Sequence, residues 1–380
     1  MTRGNGDTEK EQSDSPCLRF PASKLLVMDP LNKVKPWVRD IAPYTLKPHR
    51  VAIKLNQNEN PFDMPAEIKD EVMRRIADRP WSRYPDFEPT SLLEKLAAFS
   101  GWRSDGILVG NGSNELIEAL LMTVISPSSK VVIPSPTFTL YQLVIRILGG
   151  EVIDVPLSSE LQFDVPAITT QMTERKADAL IICSPNNPTG CVISEGDLRA
   201  LLKSSDGLIV VDEAYHEFSR SSVVPLLNEF ENLVVLRTFS KAMAAAGLRI
   251  GYLLASPALV EQINKARLPY NLNFFSHTVA EVAIERFDLL SPLIDKMISE
   301  RDRLTVELAS IDGLKPVPSN ANFIVVQTSL SPKRVFDELL KRDILIRDVS
   351  KYPMLDNYFR FSVGTPEEND RFVTALREIM

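Results

Sequence analysis

The amino-acid sequence predicts an α/β fold, in which a large domain with a mostly parallel seven-stranded sheet between helices is joined to a smaller α/β C-terminal domain. Two observations lead to this prediction. Between Gly106 and Ser256, short apolar runs alternate with stretches of helical periodicity, which is typical of βαβ units. After Pro269 the pattern changes to longer amphipathic helices, which indicates a second domain.

The strands predicted for the large sheet are continuously apolar, as expected of strands that are covered on both faces. They are Ile107–Val109, Val131–Ile133, Val152–Val155, Leu180–Cys183, Leu208–Val211, Leu233–Leu236 and Ile250–Leu254. Helices predicted between them include Asn114–Ile125 and Thr137–Leu148, each with one apolar face. The C-terminal domain is predicted to contain helices at Pro292–Ile311 and Pro332–Lys341 and strands at Phe323–Val326 and Tyr358–Val363.

Four segments are expected along the chain. Residues 1–22 are polar and charged and are predicted to form a disordered tail. Residues 23–66 are predicted to form an arm that joins the small domain, residues 67–282 to form the large domain, and residues 283–380 to form the small domain.

Composition narrows the class of ligand. The net charge of −7 is spread without blocks of one sign, which argues against nucleic acid or an anionic membrane as a partner and leaves small molecules. The three cysteines, Cys17, Cys183 and Cys191, form no CxxC pair, so neither a disulfide framework nor a zinc site is indicated. We expect a reducing, cytoplasmic location, with no secretory signal and no membrane-spanning segment.

A carboxylate and a phenol follow one apolar strand, in the segment from Val210 to Tyr215. Asp212 is predicted at the carboxyl end of that strand, which is the edge where parallel sheets bind ligands. A buried carboxylate is costly without a cation, and the protonated ring nitrogen of pyridoxal 5′-phosphate (PLP) is such a cation. Asp212 is therefore a candidate partner of that nitrogen, and Tyr215 of the ring oxygen. Taken alone, an Asp at a strand end is favoured as a cap of the following helix, and the residues downstream reverse that preference.

A lysine follows the next strand, in Thr238-Phe239-Ser240-Lys241, and Arg249 lies eight residues further on. A lysine that is desolvated near other cations loses its proton easily, which makes its amine nucleophilic toward an aldehyde. Lys241 is thus the candidate for covalent attachment of PLP. Thr238, Ser240 and Arg249 supply donors and positive charge for its phosphate.

Three further segments suit the same cofactor. In Gly110-Asn111-Gly112-Ser113-Asn114, a glycine turn opens onto a helix N-terminus, which favours an anion at Ser113 and Asn114. Asn187 lies in a proline-rich turn after a strand and is a candidate donor to the ring oxygen. Phe138 can stack on the ring, worth about 0.5–1.5 kcal/mol beyond its buried area, although plain core packing explains it as well.

Together, Asn187, Asp212, Tyr215, Lys241 and Arg249 resemble the PLP-binding set of the fold-type I aminotransferases, from about Pro36 to the C-terminus. Within that superfamily the chain is most similar to the histidinol-phosphate aminotransferase family. The similar stretches are Arg39 to Tyr44, Leu55 to Pro61, Arg83 to Asp86, Ser319 to Phe323 and Phe361 to Thr365.

This resemblance implies a homodimer with shared active sites, in which Tyr84 reaches the phosphate of the partner's cofactor. It also implies that Arg360, with Arg347 nearby, binds the carboxylate of glutamate or the phosphate of histidinol phosphate. Tyr44 and Asn322 are implied to line the substrate pocket. The family more often has tyrosine at the stacking position, so Phe138 keeps the stacking and loses a hydroxyl contact that bears on substrate preference. Purely structural roles are the alternatives: Arg347 and Arg360 could form surface ion pairs, and Tyr84 could be a packed turn residue.

The predicted activity is PLP-dependent transamination with small-molecule amine and 2-oxo acid substrates, most specifically histidinol phosphate with 2-oxoglutarate, in histidine biosynthesis. An aminotransferase of aromatic amino acids and a decarboxylase of a phosphorylated amino acid share the same scaffold and remain alternatives. A PLP-binding sensor without turnover is a further alternative. Such a sensor is expected to carry a basic DNA-binding domain, and the residues before Pro36 are too few and too polar for one. His49, His216 and His277 have no carboxylate or serine at a telling spacing, and none is assigned a catalytic role.

Overall fold

The computed structural model of this protein describes residues 29–43 and 48–380. The predicted disordered tail and the predicted substrate residue Tyr44 lie outside the described residues. By its internal contacts the chain divides into a unit that ends at Asp40 and a unit from Ile41 to Met380. The described part of the first unit contains a 3₁₀ turn at Pro30–Lys33 and a single helical turn, α1, at Pro36–Arg39.

The strands of the second unit are β1 (Ile53–Lys54), β2 (Ile107–Gly110), β3 (Lys130–Ser135), β4 (Glu151–Pro156), β5 (Ala179–Cys183), β6 (Leu208–Asp212), β7 (Leu233–Thr238), β8 (Gly251–Leu254), β9 (Leu314–Pro316), β10 (Phe323–Thr328), β11 (Ile344–Leu345), β12 (Arg347–Asp348) and β13 (Tyr358–Ser362).

Its helices are α2 (Ala66–Ile76), α3 (Thr90–Ser100), α4 (Ser113–Val124), α5 (Leu140–Leu148), α6 (Val165–Glu174), α7 (Glu195–Ser204), α8 (His216–Ser219), α9 (Pro257–Asn264), α10 (Phe274–Glu285), α11 (Phe287–Ala309), α12 (Pro332–Lys341) and α13 (Pro366–Ile379). Short 3₁₀ turns lie at Ser104–Gly106, Val224–Asn228 and Ala246–Leu248. None of the described helices is both long and apolar enough to cross a membrane.

The large sheet has seven strands in the order β2-β8-β7-β6-β5-β3-β4. Strand β8 runs antiparallel to both of its neighbours, while the other pairings are parallel. Two apolar clusters pack on its two faces, because its strands are apolar on both sides. The predicted mostly parallel sheet between helices is confirmed, and each of the seven predicted strands is present within two residues of its predicted ends.

A second, four-stranded antiparallel sheet has the order β12-β13-β10-β9. Its core includes Ile53 and Leu55 from the beginning of the described part of this unit, together with apolar residues of α11, α12 and α13. Helix α11 begins before its predicted start and continues through Pro292, which lies in its second turn. This sheet confirms the predicted smaller α/β layer, while the division of the chain at residues 66 and 282 remains a prediction.

Candidate active site

A cleft opens where strands β3, β5, β6 and β7 of the large sheet end. Parallel strands bring the residues that follow them to one edge, so segments far apart in sequence meet there. The cleft is lined by Asn56, Gln57, Asn58, Ser113, Asn114, Phe138, Thr139, Tyr141, Cys183, Asn187, Asp212, Ala214, Tyr215, Thr238, Ser240, Lys241, Arg249, Arg347, Tyr352 and Arg360.

The reversed strand β8 explains how Arg249 reaches this edge. Because β8 is antiparallel to β7, with Gly251 opposite Thr238, its beginning lies where β7 ends. Arg249 lies two residues before the start of β8. Because β8 is reversed, Arg249 nevertheless lies beside Thr238, which ends β7. A Cβ on Gly251 would approach the backbone nitrogen of Ser113 to 2.4 Å, so only glycine allows this close approach of β8 to the turn before α4.

Hydrogen-bond donors converge beside that turn. Arg249 Nη1 donates to the hydroxyl of Ser240 at 3.1 Å, and the Thr238 hydroxyl donates to the same oxygen at 3.0 Å. A Cβ on Gly112 would lie 2.5 Å from Arg249 Nη2, so the guanidinium lies directly against the turn. Ser113 begins α4, whose free N–H groups add positive potential. This group of donors fits a phosphate.

Asp212 ends β6 and is buried. One of its carboxylate oxygens accepts from the Tyr141 hydroxyl at 2.6 Å, and the other accepts from the Ala214 backbone N–H at 3.0 Å. Burial raises the pKa of the Asp212 carboxyl above its ordinary value, although both of these hydrogen bonds oppose the rise. A carboxylate in such a position gains from a cationic partner, and a protonated ring nitrogen is one.

The neighbouring carboxylate, Glu213, points the other way. It forms a buried ion pair with Arg237 at 2.9 Å and accepts from the backbone N–H of Val223. Arg237 lies one residue before Thr238, so this pair holds the ends of β6 and β7 together on the side opposite Asp212. Two adjacent carboxylates thus have different surroundings, one paired with a cation and one without.

Lys241 projects into the cleft and is half-buried. Its Nζ donates to the backbone oxygen of Gln57 at 3.1 Å and lies 5.7 Å from the ring centroid of Tyr215. Enclosure in the cleft, followed by the positive charge of Arg360, lowers the pKa of the Lys241 ammonium from its ordinary value to about 8. A larger fraction of this amine is therefore unprotonated near neutral pH than of an exposed lysine.

Asn186 joins the two turns that carry Phe138 and Asn187. Its side chain accepts from the Thr137 hydroxyl at 2.7 Å and donates to the backbone oxygen of Pro136 at 2.9 Å. Because this amide is buried and bonded on both sides, it fixes the relative position of the two turns. Phe138 makes an edge contact with Tyr141, with ring centroids 5.5 Å apart.

Two arginines of the small sheet face the cleft. Arg347 on β12 lies opposite Arg360 on β13 in the antiparallel register. Arg360 donates to the backbone oxygen of Asn56 and to the side-chain oxygen of Asn187, so it bridges to both the β1–α2 connection and the large sheet. Two guanidinium groups that line the same cleft suit an anionic substrate.

Most of the site residues predicted from sequence thus meet in one cleft, although their individual roles remain predictions. Asn322 is buried behind it and donates to the backbone oxygen of Asn58 at 3.1 Å. Tyr84 does not line the cleft: it is 78% exposed and stacks on Tyr270 with ring centroids 4.5 Å apart.

Sequence reasoning assigned no role to Asn56, Gln57, Asn58, Thr139, Tyr141, Cys183, Ala214 and Tyr352, which also line the cleft. The family-like stretch from Leu55 to Pro61 contains three of them and is the sequence signal for those three. Tyr141 carried no such signal, because its contact with Asp212 spans 71 residues.

The donor set fits PLP. Ser113, Asn114, Thr238, Ser240 and Arg249 suit the phosphate, Asp212 suits the ring nitrogen, and Asn187 and Tyr215 suit the ring oxygen. Phe138 is available to the ring face, and the amine of Lys241 to the aldehyde. Each polar group of this cofactor has a counterpart of matching chemistry in the one cleft.

Residues 50–376 match the family described as aminotransferase class I and II. A histidinol-phosphate aminotransferase from Chlorobium phaeovibrioides is 40% identical over 353 residues, which cover 92% of this chain and 98% of the relative. A histidinol-phosphate aminotransferase from Chlorobaculum tepidum is 37% identical, covering 86% of this chain and 94% of the relative.

The fold is similar to the crystal structure of histidinol-phosphate aminotransferase from Sinorhizobium meliloti in complex with pyridoxal-5′-phosphate. The TM-score is 0.82 at 25% identity, over 90% of this chain and 96% of that one. The predicted resemblance, fold type and cofactor are confirmed by these matches. The chain belongs to the aminotransferase class I and II family, and is a PLP-dependent enzyme that transfers amino groups between small-molecule amines and oxo acids.

Proposed function

We propose that the enzyme transfers the amino group of L-histidinol phosphate to 2-oxoglutarate, giving imidazole acetol phosphate and L-glutamate. The observation that carries this proposal is the pair Arg347 and Arg360 in the cleft that also contains Lys241. Histidinol phosphate has no carboxylate and is anionic only through its phosphate, whereas glutamate offers a carboxylate. A planar guanidinium binds both anions in bidentate geometry, so one site serves both half-reactions.

Different residues of the cleft would bind the cofactor, move the proton and orient the substrate. The cofactor ring would be held by Asp212, Asn187 and Tyr215. The cofactor phosphate would be held by Ser113, Thr238, Ser240 and Arg249. When bound, PLP supplies an electron sink for the bond that is broken at the amino-bearing carbon. Lys241 Nζ accepts the proton released from that carbon and holds it for return, which requires an unprotonated amine and fits a pKa of about 8. Arg360 orients the substrate by its anionic group.

A half-reaction tests the substrate. We expect histidinol phosphate alone to convert the visible absorbance band of the bound cofactor, and phenylalanine to do so poorly. In the Arg360→Gln variant, the histidinol phosphate concentration needed for half-conversion is expected to rise about 100-fold, because charged hydrogen bonds are lost. L-Histidinol, which lacks the phosphate, is expected to respond much less to this substitution.

The controls separate binding from proton transfer. Arg360 also lowers the pKa of Lys241, so each enzyme is compared on the plateau of its own pH profile, which is expected at higher pH in the variant. Arg377→Gln removes an exposed arginine that pairs with Glu307 and is expected to change nothing. Conversion by phenylalanine without conversion by histidinol phosphate contradicts the proposed substrate.

The proposal includes a homodimer with shared active sites. Trp81, Tyr84, Phe87, Leu268 and Tyr270 are exposed, and the rings of Tyr84 and Phe87 both contact Tyr270; we call these five residues the aromatic patch. Such a patch favours burial against another protein surface. Next to Tyr270 in the sequence is Asn271, whose side-chain amide donates to Glu115 in the first turn of α4. That turn begins at Ser113, one of the residues proposed to bind the cofactor phosphate. We infer that this patch packs against the same patch of a second copy in a two-fold dimer, an arrangement that would bring Tyr84 toward the partner's phosphate site.

Mixing two inactive variants tests the sharing of sites. Tyr84→Ala and Lys241→Ala subunits, reassorted in equal amounts at subsaturating cofactor, are expected to regain about a quarter of the wild-type activity. Half of the reassorted dimers are mixed, and one site in each mixed dimer carries neither defect. A mixture of Lys241→Ala with Asp212→Asn is the control, because both residues belong to one cleft and no intact site forms. Monomeric elution, or no recovery in the first mixture, contradicts shared sites.

A cytoplasmic location without nucleic-acid or membrane partners is also part of the proposal. It rests on the cysteine pattern and the dispersed charge of the sequence.

A further inference from the structure

Asn58 occupies a strained backbone position at the rear of the cleft. Its φ is +55°, a region that side chains other than glycine rarely adopt and that asparagine tolerates best, and only 1% of its surface is exposed. Backbone strain of this kind persists where surrounding contacts enforce it. Strain at a buried residue beside a catalytic cleft therefore points to a task for that residue.

The small sheet enforces this conformation. The backbone N–H of Asn58 donates to the hydroxyl of Ser362 at 2.8 Å, and the backbone oxygen accepts from Asn322 at 3.1 Å. Ser362 is two residues beyond Arg360 on β13, and Asn322 precedes β10. The backbone of Asn58 is thus held by the small sheet, and its side chain reaches Tyr215.

The orientation of the side-chain amide follows from the same network. The Ser362 hydroxyl donates its single proton to Asn58 Oδ1, at 3.3 Å. The other end of the amide, Nδ2, therefore faces the Tyr215 hydroxyl and donates to it at 3.0 Å. Because the Tyr215 oxygen accepts this bond, its own proton is left to be donated elsewhere. Burial raises the pKa of the Tyr215 phenol, so that proton is retained at neutral pH.

We infer that Asn58 is a positioning residue, whose amide turns the Tyr215 hydroxyl so that its proton is donated to the ring oxygen of the cofactor. The inference rests on the proposed assignment of Tyr215 to that oxygen. Asn58 touches neither the reacting atoms nor the substrate in this role, and it acts through one phenol. The backbone oxygens of Gln57 and Asn56 accept hydrogen bonds from Lys241 and Arg360, so a change of the Asn58 side chain leaves those bonds in place.

Asn58→Asp tests the direction of the hydrogen bond. The size and the tolerance of positive φ are kept, while the introduced carboxylate can only accept, so it takes the Tyr215 proton away from the cofactor. The ring oxygen then becomes more basic and holds the proton that it shares with the lysine-linked nitrogen more tightly. The pH midpoint of the cofactor's visible absorbance band is expected to rise by about one unit, the size expected for loss of one charged hydrogen bond.

Three further variants of this protein make the measurement decisive. Tyr215→Phe is expected to raise the midpoint by a similar amount, and Asn58→Asp added to Tyr215→Phe is expected to raise it no further, because both changes remove the same bond. Asn58→Gly keeps the backbone conformation and removes the amide, and it is expected to give a smaller rise. Should the aspartate variant fail to fold, the glycine variant decides the question by itself.

An Asn58 variant that folds and keeps the wild-type midpoint, while Tyr215→Phe shifts it, overturns the inference. A full shift by Asn58→Asp in the Tyr215→Phe background also overturns it, because Asn58 then acts by charge and not through the phenol. A wild-type midpoint in Tyr215→Phe overturns the assignment of Tyr215 and this inference together. Failure of histidinol phosphate in the half-reaction leaves the inference standing, since this titration uses the cofactor-loaded enzyme without substrate.

Discussion

The Lys241→Ala variant is expected to lose glutamate formation by about 10⁴-fold or more, because the substitution removes both the amine that holds the cofactor and the base that moves the proton. Borohydride reduction of the wild-type enzyme, followed by peptide mapping, is expected to place the pyridoxyl label on Lys241. Added methylamine is expected to restore part of the activity of the variant, since a small amine can enter the space that the side chain leaves.

The lowered pKa of Lys241 gives this prediction a pH dependence. Covalent uptake of PLP needs the unprotonated amine, so its rate is expected to rise with pH and to level off above about 8. In Arg360→Gln the plateau is expected at higher pH, because one positive neighbour is removed. Lys265→Ala, which changes an exposed lysine bonded to Gln262, is the control and is expected to be fully active. A label on another lysine, or an uptake rate that keeps rising toward pH 10, contradicts the assignment.

The Asp212→Asn variant is expected to slow the half-reaction about 10²–10⁴-fold, because a neutral amide cannot hold the cofactor's ring nitrogen in its charged form. This range corresponds to loss of one partner of a buried ion pair, about 3–5 kcal/mol. Stopped-flow absorbance with saturating amine measures the rate, and the absorbance spectrum of the bound cofactor is expected to change as well.

The Asp212→Asn substitution slows the reaction but is not expected to lower the stability of the cofactor-free protein. Burial raises the pKa of Asp212, so its ionisation weakens the cofactor-free fold as pH rises through that pKa, and the neutral asparagine avoids this loss. The cofactor-free variant is therefore expected to melt no lower than the wild-type protein at pH 7. Glu213→Gln is the matched control: it leaves Arg237 buried without its ion pair, so it lowers the melting temperature and leaves the cofactor spectrum unchanged. An Asp212→Asn enzyme with wild-type rates contradicts the proposed contact.

The local patterns of the sequence were sufficient for the large sheet and for the residues that end its strands. Continuous apolar runs of four to six residues identify strands such as β5 and β6 because both faces of each strand are covered. Since parallel strands deliver their following residues to one edge, Asp212, Lys241 and Asn187 were predicted to meet without knowledge of the strand order. Phosphate-binding chemistry at Ser113 was likewise visible in a glycine turn before a helix.

Contacts between distant segments were decided only by the tertiary structure. The bond from Lys241 to Gln57 spans 184 residues and that from Arg360 to Asn56 spans 304, and no local pattern encodes such pairs. The sequence by itself determined which elements form and which chemical groups stand at their ends, because those follow from burial and backbone preference over a few residues. The reversal of β8, which brings Arg249 to the phosphate-binding residues, and the Tyr141 bond to Asp212 depend on strand order and helix packing in the large sheet. The strained Asn58 behind Tyr215 depends on how the small sheet packs against the large one.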